Sequence, residues 1–255
     1  MKKISRIIVG FGVLILIWQL VVLLGGYNNA LFPTPVNVIN AFQELLAGGT
    51  LWIDIRDSMV RFAIGFLSSI IAGVSLGLLL GWYKNIWGFV HPVVQVLRPI
   101  SPVAWLPFIV LWFGIGDIPA IVIIFIAGFF PILLSTISAI GQVDETYLKV
   151  ANNLGMNQWQ IIVKIILPAI FPNVMTGIHL ALGTAWVFLV AGEMVGTQSG
   201  LGYLIIDSRN NMRVDTLVAT MIVIGIIGLL LDTLIKYFEK KIFNRWSVQP
   251  GEGSV

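Results

Sequence analysis

The chain has 255 residues, of which 58% are hydrophobic and 11% charged, and its mean hydropathy is +0.95. A soluble domain carries roughly 25% charged residues, which excludes a water-soluble enzyme; a disordered chain, poor in apolar residues and rich in charge, is excluded as well. The absence of cysteine removes disulfides, thiol nucleophiles and thiolate metal sites, and the net charge of +3 reads as membrane orientation rather than as affinity for nucleic acid.

What remains is an all-α, polytopic membrane protein. A helix needs about 20 apolar residues to cross the hydrocarbon core. The apolar runs predict about six transmembrane helices, at 7–24, 58–82, 86–113, 118–140, 165–190 and 214–237. The whole of 1–255 then reads as one transmembrane domain, with a first span at 7–24, an outer linker at 25–57 and a core at 58–243. Within that core an inner loop occupies 141–164. A Lys2-Lys3-Arg6 head precedes the first span, and its exit, Gly25-Gly26-Tyr27-Asn28, is not a small-residue cleavage site. The span is therefore expected to be retained. In the linker, Phe32-Pro33-Thr34-Pro35 leads into an amphipathic stretch that ends at Leu46, suited to the outer interface.

The second span carries Gly65, Ser69, Gly73, Gly77 and Gly81, a small residue at every fourth position. Such a row lets another backbone approach closely, either within the monomer or at a subunit interface. The third span is interrupted at His91-Pro92, Arg98-Pro99, Ser101-Pro102 and Leu106-Pro107. Each proline removes a donor and disfavours helix in the residue before it. Broken helix at membrane depth needs protein or a water-filled cavity around it, so the run predicts an aqueous route or a kinked structural helix. With the N-terminus inside, eleven of the fifteen Lys and Arg lie on the cytoplasmic side, Arg98 among them. Four (Arg56, Arg61, Arg209, Arg213) lie on the other, which predicts both termini in the cytoplasm.

The inner loop is not loop-like. Asp144 can cap a helix in which Tyr147, Val150, Ala151 and Leu154 recur at helical spacing, and Gly155 supplies a left-handed stop. Asn157, with Gln160 three residues on, has the form of a capping box that opens a second helix, and Pro168 leads back into the membrane. A short half-apolar helix of this kind suits a groove on a partner or the membrane surface itself.

Gly155, Ile165, Leu167 and Pro168 have the spacing of the EAA loop of ABC-importer permeases. Lys149-Val150-Ala151 falls under the EAA triplet, so only the last alanine is kept and a lysine stands at the glutamate position. Arg98-Pro99-Ile100-Ser101-Pro102, Trp112-Phe113-Gly114-Ile115-Gly116-Asp117 and Phe129-Phe130-Pro131 resemble the nitrate, taurine, alkanesulfonate and bicarbonate subfamily. So do Ala191-Gly192-Glu193-Met194 and Gly200-Leu201-Gly202-Tyr203. The resemblance implies a type I ABC-importer permease fold in the bacterial cytoplasmic membrane, working by alternating access. Two copies of the permease, expected as a homodimer, would act with two cytoplasmic ATPases and an extracytoplasmic solute-binding protein. Residues 144–160 would be the coupling helix. No cofactor is expected on this chain: it has no G-x-x-x-x-G-K-[ST] loop, so ATP and Mg would sit on the partner ATPase.

Candidate pathway residues are Arg98, Trp105, Trp186 and Glu193. Arg98 presents a planar fork of donors suited to a sulfonate, nitrate or carboxylate, with snorkelling to the headgroups as the alternative. Glu193 reads as functional or as a carboxylate that holds backbone amides or an arginine. His179 reads as a hydrogen-bonded packing residue, and neither it nor His91 has neighbours at metal-ligand spacing. An ATPase-independent secondary transporter or channel would carry paired broken helices in two repeated halves, which the chain lacks by eye. A membrane enzyme would need a base beside Glu193, Asp207 or Asp215, and none stands there.

Overall fold

The computed structural model describes residues 2–25 and 31–246, and among these the chain is helical with no strand. The exit of the first span at 26–28 lies outside the described residues, as do the side chains of 1–8 that form the basic head. The helices are α1 (Lys2–Gly25), α2 (Pro35–Ala47), α3 (Thr50–Trp82), α4 (Lys84–Leu97), α5 (Leu106–Phe113) and α6 (Asp117–Gly141). They continue with α7 (Glu145–Asn153), α8 (Gln158–Ile161), α9 (Leu167–Gly196), α10 (Leu201–Asn210) and α11 (Val214–Trp246). A π-turn at Ile162–Ile166 joins α8 to α9, so one apolar rod of 39 residues runs from Gln158 to Gly196.

Among the described residues four helices are long and apolar enough to cross a membrane: Thr50–Trp82, Asp117–Gly141, Gln158–Gly196 and Val214–Phe243. The expected third span is not one helix. Lys84–Leu97 and Pro102–Phe113 meet at 86°. The prolines do not act alike. Pro92 lies inside α4 and Pro107 in the first turn of α5, where its missing N–H is an orphan in any case. Helix α4 ends at Leu97; Arg98, although it precedes a proline, keeps helical angles (φ −56, ψ −44), and the residue before Pro102, Ser101, is extended (ψ 133).

The core is built on α3, α6 and α9. The small-residue row of α3 faces α6 of the same chain. A Cβ added at Gly65 would lie 2.8 Å from Ile124, at Gly73 2.9 Å from Ile132, at Gly77 2.6 Å from Thr136 and at Gly81 2.6 Å from Ile140. The partner positions advance in step with the glycines, so the two helices run parallel and in register. At Ser69 the roles exchange, for the glycine there is Gly128 of α6, whose missing Cβ makes room for the serine hydroxyl. Helix α9 runs antiparallel to α6, with Gly177 against Ser135, Gly192 against Ala120 and Gly196 against Pro119. The row is therefore occupied within the monomer.

Helix α2 starts where the sequence predicts it, with the Thr34 hydroxyl accepting from the Asn37 N–H. Its far end is tied by two hydrogen bonds from Arg213 to Glu44, at 2.8 and 2.7 Å.

A larger side chain in the α3–α6 seam must displace backbone. Gly77→Leu should lower stability by about 1–3 kcal/mol, the usual cost of overpacking. Gly88→Leu, at a position with nothing within 4 Å, should leave it unchanged. Thermal unfolding of the two purified variants in detergent makes the comparison.

Candidate functional site

Three features carry the chemistry of this chain, the first being the segment between α6 and α9. Asp144 caps α7, its carboxylate accepting from the Thr146 N–H at 2.8 Å, which holds its pKa below the usual carboxylate range. The helix ends in a Schellman turn: the Met156 N–H donates to the Ala151 carbonyl, the Gly155 N–H to that of Asn152, and Gly155 takes φ +71. The capping box is complete, with the Asn157 side chain accepting from the Gln160 N–H and the Gln160 side chain from the Asn157 N–H. Ala151 is buried against the body of the protein, whereas Tyr147, Val150 and Leu154 are exposed, Leu154 at 75%. Lys149 is also exposed and lies 3.6 Å from Glu145 one turn back. Pro168 sits in the first turn of α9, directly after the π-turn. Helix α7 thus packs Leu148 and Ala151 against the body and turns Tyr147, Val150 and Leu154 away from it.

The second feature is a cleft of about 530 Å³ at the break between α4 and α5. Arg98, Ile100 and Pro102 form one side; Ile126, Phe130 and Leu134 of α6 and Leu180, Thr184 and Phe188 of α9 form the other. The hydroxyl hydrogens of Ser135 and Thr184 are committed to backbone carbonyls, at 2.6 Å for Ser135 to Asn173. Arg98 is the one charged side chain on this wall, is exposed, and makes no side-chain hydrogen bond or ion pair with the described residues.

The other candidate residues lie elsewhere. Trp105 packs beside Leu106, Ile109 and Ile123. Trp186 donates from its ring N–H to the Ile224 carbonyl at 3.2 Å and meets Phe62 edge-on, on the side of α9 that faces α11. His179 lies 2.8 Å from Glu239 of α11. Of the four pathway candidates, only Arg98 lines the cleft.

Glu193 belongs to the third feature, a buried clasp at the end of the core that holds the start of α6. It is fully buried, accepts from Arg61 at 2.7 Å, from the Ser58 hydroxyl at 2.8 Å and from the Gly202 N–H at 2.9 Å. Arg61 is 4% exposed; the Nη1 that meets Glu193 also donates to the Ser199 carbonyl at 2.7 Å, while Nε donates to Asp117 at 2.7 Å and Nη2 to the Ser199 hydroxyl at 2.8 Å. Asp54 accepts from the Gly200 N–H at 2.8 Å, and Ser58 accepts from the Leu201 N–H at 2.8 Å. Gly200 (φ +108) must be glycine, because a Cβ there would stand 2.5 Å from both Arg61 and Glu193. Arg61, one of the four basic residues counted on the outer side, lies inside α3 and is buried. Asp54, Ser58 and Arg61 prolong the Gly65–Gly81 row by further helical turns along one face, a signal present in the sequence and passed over.

The family described as "binding-protein-dependent transport system inner membrane component" matches residues 57–244. A Bacillus subtilis permease named for aliphatic sulfonates transport, SsuC, is 36% identical over 234 residues, covering 92% of this chain and 84% of its own length. The nitrate import permease NrtB of Synechocystis sp. is 34% identical over 249 residues, covering 94% and 90%. Among solved structures, an inward-facing conformation of the MetNI methionine ABC transporter matches with a TM-score of 0.62 at 17% identity, covering 76% of this chain and 94% of that one. This last likeness is one of fold.

Removing one partner from a buried ion pair strands the other charge. Arg61→Met should cost about 3–5 kcal/mol. Asp117→Asn should cost far less, since the Asp117 side chain is 66% exposed and only Arg61 loses a contact. Unfolding midpoints of the two variants, read in the same detergent, give the ranking.

Proposed function

The chain belongs to the family of binding-protein-dependent transport system inner membrane components, and from that premise we propose that it forms the translocation pathway for a small anion, coupled through α7 to a separate ATPase. It is a multi-pass, non-catalytic permease subunit of an ABC importer in the inner membrane. Two copies of the chain would face each other, two ATPases holding ATP and Mg would lie beneath them, and a binding protein would deliver solute from outside. The ends bearing Trp82, Gly141 and Gln158 would be cytoplasmic, which puts Lys84, Lys149 and Lys164 inside and leaves the clasp at the extracytoplasmic end.

The observation that carries the coupling role is the exposed face of Tyr147, Val150 and Leu154 on a helix capped at both ends. A doubly capped helix keeps its shape under load, and the face of Tyr147, Val150 and Leu154 is exposed among the described residues. Such a face fits a groove on a second protein. A push on α7 passes through Ala151 and Ile161, both buried, into the rod of α8 and α9. The two discrete arrangements of that rod against its neighbours would supply inward-open and outward-open states. Lys149 at the glutamate position of the triplet implies that the ATPase groove meets a cation there.

Support for an anionic solute comes from Arg98, whose guanidinium faces a cleft with no carboxylate on its wall. Substrates named for the relatives, sulfonates and nitrate, are anions that such a fork of donors recognises.

Replacement of residues 144–160 by a Gly/Ser linker should abolish copurification of the ATPase, whereas the native chain should bring it down from its own host. A native chain that arrives alone, under conditions that preserve other such complexes, sinks the coupling role and makes ion-gradient transport the assay to run. Arg98→Gln should lower anion uptake by on the order of tenfold, the worth of one charged hydrogen bond, and Arg98→Lys should retain part of it. Unchanged uptake in the glutamine variant removes Arg98 from the pathway.

A further inference from the structure

A groove of about 400 Å³ lies where the end of α3 meets the return of the coupling segment. One wall is Ser75, Leu79, Trp82 and Tyr83; the other is formed by Trp159 of α8 and by Val163 of the π-turn, together with their apolar neighbours. The groove is open on one side and its lining is almost wholly apolar, with Trp159 73% exposed. From Ser75 to Tyr83 it extends along α3 by about 12 Å, at 1.5 Å per residue. That depth is most of one leaflet, since half the hydrocarbon core is about 15 Å.

The three aromatic rings stand at one end of the groove, and aromatic side chains favour the level of the headgroups. Two exposed lysines stand next in sequence to lining residues: Lys84 follows Tyr83 at that end, and Lys164 follows Val163, four residues on from Trp159. An apolar channel most of one leaflet deep, with aromatic rings at one end and two exposed cations beside its lining residues, suits a phospholipid with a negative headgroup. The π-turn shapes the wall: it adds a residue to the winding just where Ile162 and Val163 face the groove, and such turns recur at functional sites.

We propose that this groove holds one anionic phospholipid of the cytoplasmic leaflet, its acyl chain between Leu79 and Val163 and its phosphate at Lys84 and Lys164. The side assignment rests on the orientation given under Proposed function; the groove itself does not depend on the identity of the solute or on α7 binding an ATPase. A lipid in this place touches both the rigid α3 and the segment through which α7 enters the membrane, so it would tie leaflet composition to the coupling segment.

Native mass spectrometry of the full-length chain, with phosphatidylglycerol and phosphatidylethanolamine of the same acyl chains added in turn, tests this. The wild type should retain phosphatidylglycerol in preference. Val163→Trp, which fills the groove from one wall, and Leu79→Trp, which fills it from the other, should each lose the retained lipid. The double variant Lys84→Gln/Lys164→Gln should reduce the preference for phosphatidylglycerol by on the order of tenfold, as expected for two lysines near a negative surface. Retention unchanged by either tryptophan, or a preference unchanged in the double variant, overturns the proposal. A single Val163→Cys, in a chain that has no cysteine of its own, gives a readout that does not depend on filling the groove. Its reaction with a thiol reagent should be slower in vesicles containing phosphatidylglycerol than in those of phosphatidylethanolamine alone. Equal rates in the two, or protection that follows the ATPase instead of the lipid, also defeat it.

Discussion

A guanidinium taken out of water must be repaid by hydrogen bonds on every face, and the interior of this bundle is arranged around that demand. Burial of a lone arginine costs several kcal/mol, and a single carboxylate would not satisfy its five donors. Arg61 draws its partners from the start of α6, the end of α9 and the turn before α10, elements separated by as many as 138 residues of sequence. Once Glu193 is committed to it, the remaining lone pairs of that carboxylate have to be met by Ser58 and the Gly202 N–H. The position of α10 follows from this, because its first turn is the source of those amides. Below the clasp the same face of α3 becomes small, and close contact with α6 takes over from charge. One face of one helix therefore does two jobs in sequence, polar at one end and steric along the rest.

How much of this could be read in advance depends on the range of the interaction. The caps at Asp144, Gly155 and Asn157 are local chemistry among residues two to five apart, and they stand where the sequence puts them. The periodicity of Tyr147, Val150, Ala151 and Leu154 was legible as a helix, but not which residues would face the body; Ala151 is the one of the four that is buried. The clasp was not legible as a unit. Asp117, Glu193 and Gly200 to Gly202 drew notice separately, as runs that resemble a family, and nothing in the linear order says that they converge on Arg61. The proline-rich span shows the opposite error: a rule applied at every X-Pro step overestimates the breaks, because proline is tolerated in first turns and bent helices, and only Ser101 leaves helical geometry.

Clasp and coupling segment lie at opposite ends of the same continuous rod from Gln158 to Gly196. Close packing of that rod against α6, with Gly177, Gly192 and Gly196 each admitting a neighbour, leaves little freedom for it to bend between the two. Movement applied near Trp159 is for this reason more readily transmitted than absorbed. The Arg98 cleft opens on the flank of the same rod, at Leu180, Thr184 and Phe188, between the end that is pushed and the end that is pinned.

The parallel register of α3 and α6 has a topological cost. Two neighbours that run the same way cannot be joined by a short turn, so the chain leaving Trp82 has to climb the full height of the bundle before it can begin again at Asp117. Helices α4 and α5 make that climb, but as an elbow and not as a mast, with the joint at residues 98–101. A straight helix would have closed its backbone bonds along the whole ascent and presented a smooth wall to α6 and α9. The elbow instead leaves a hollow in its crook, and the arginine at the joint stands at the mouth of it. What began as a packing preference between two helices thus decides where in the membrane an opening can exist.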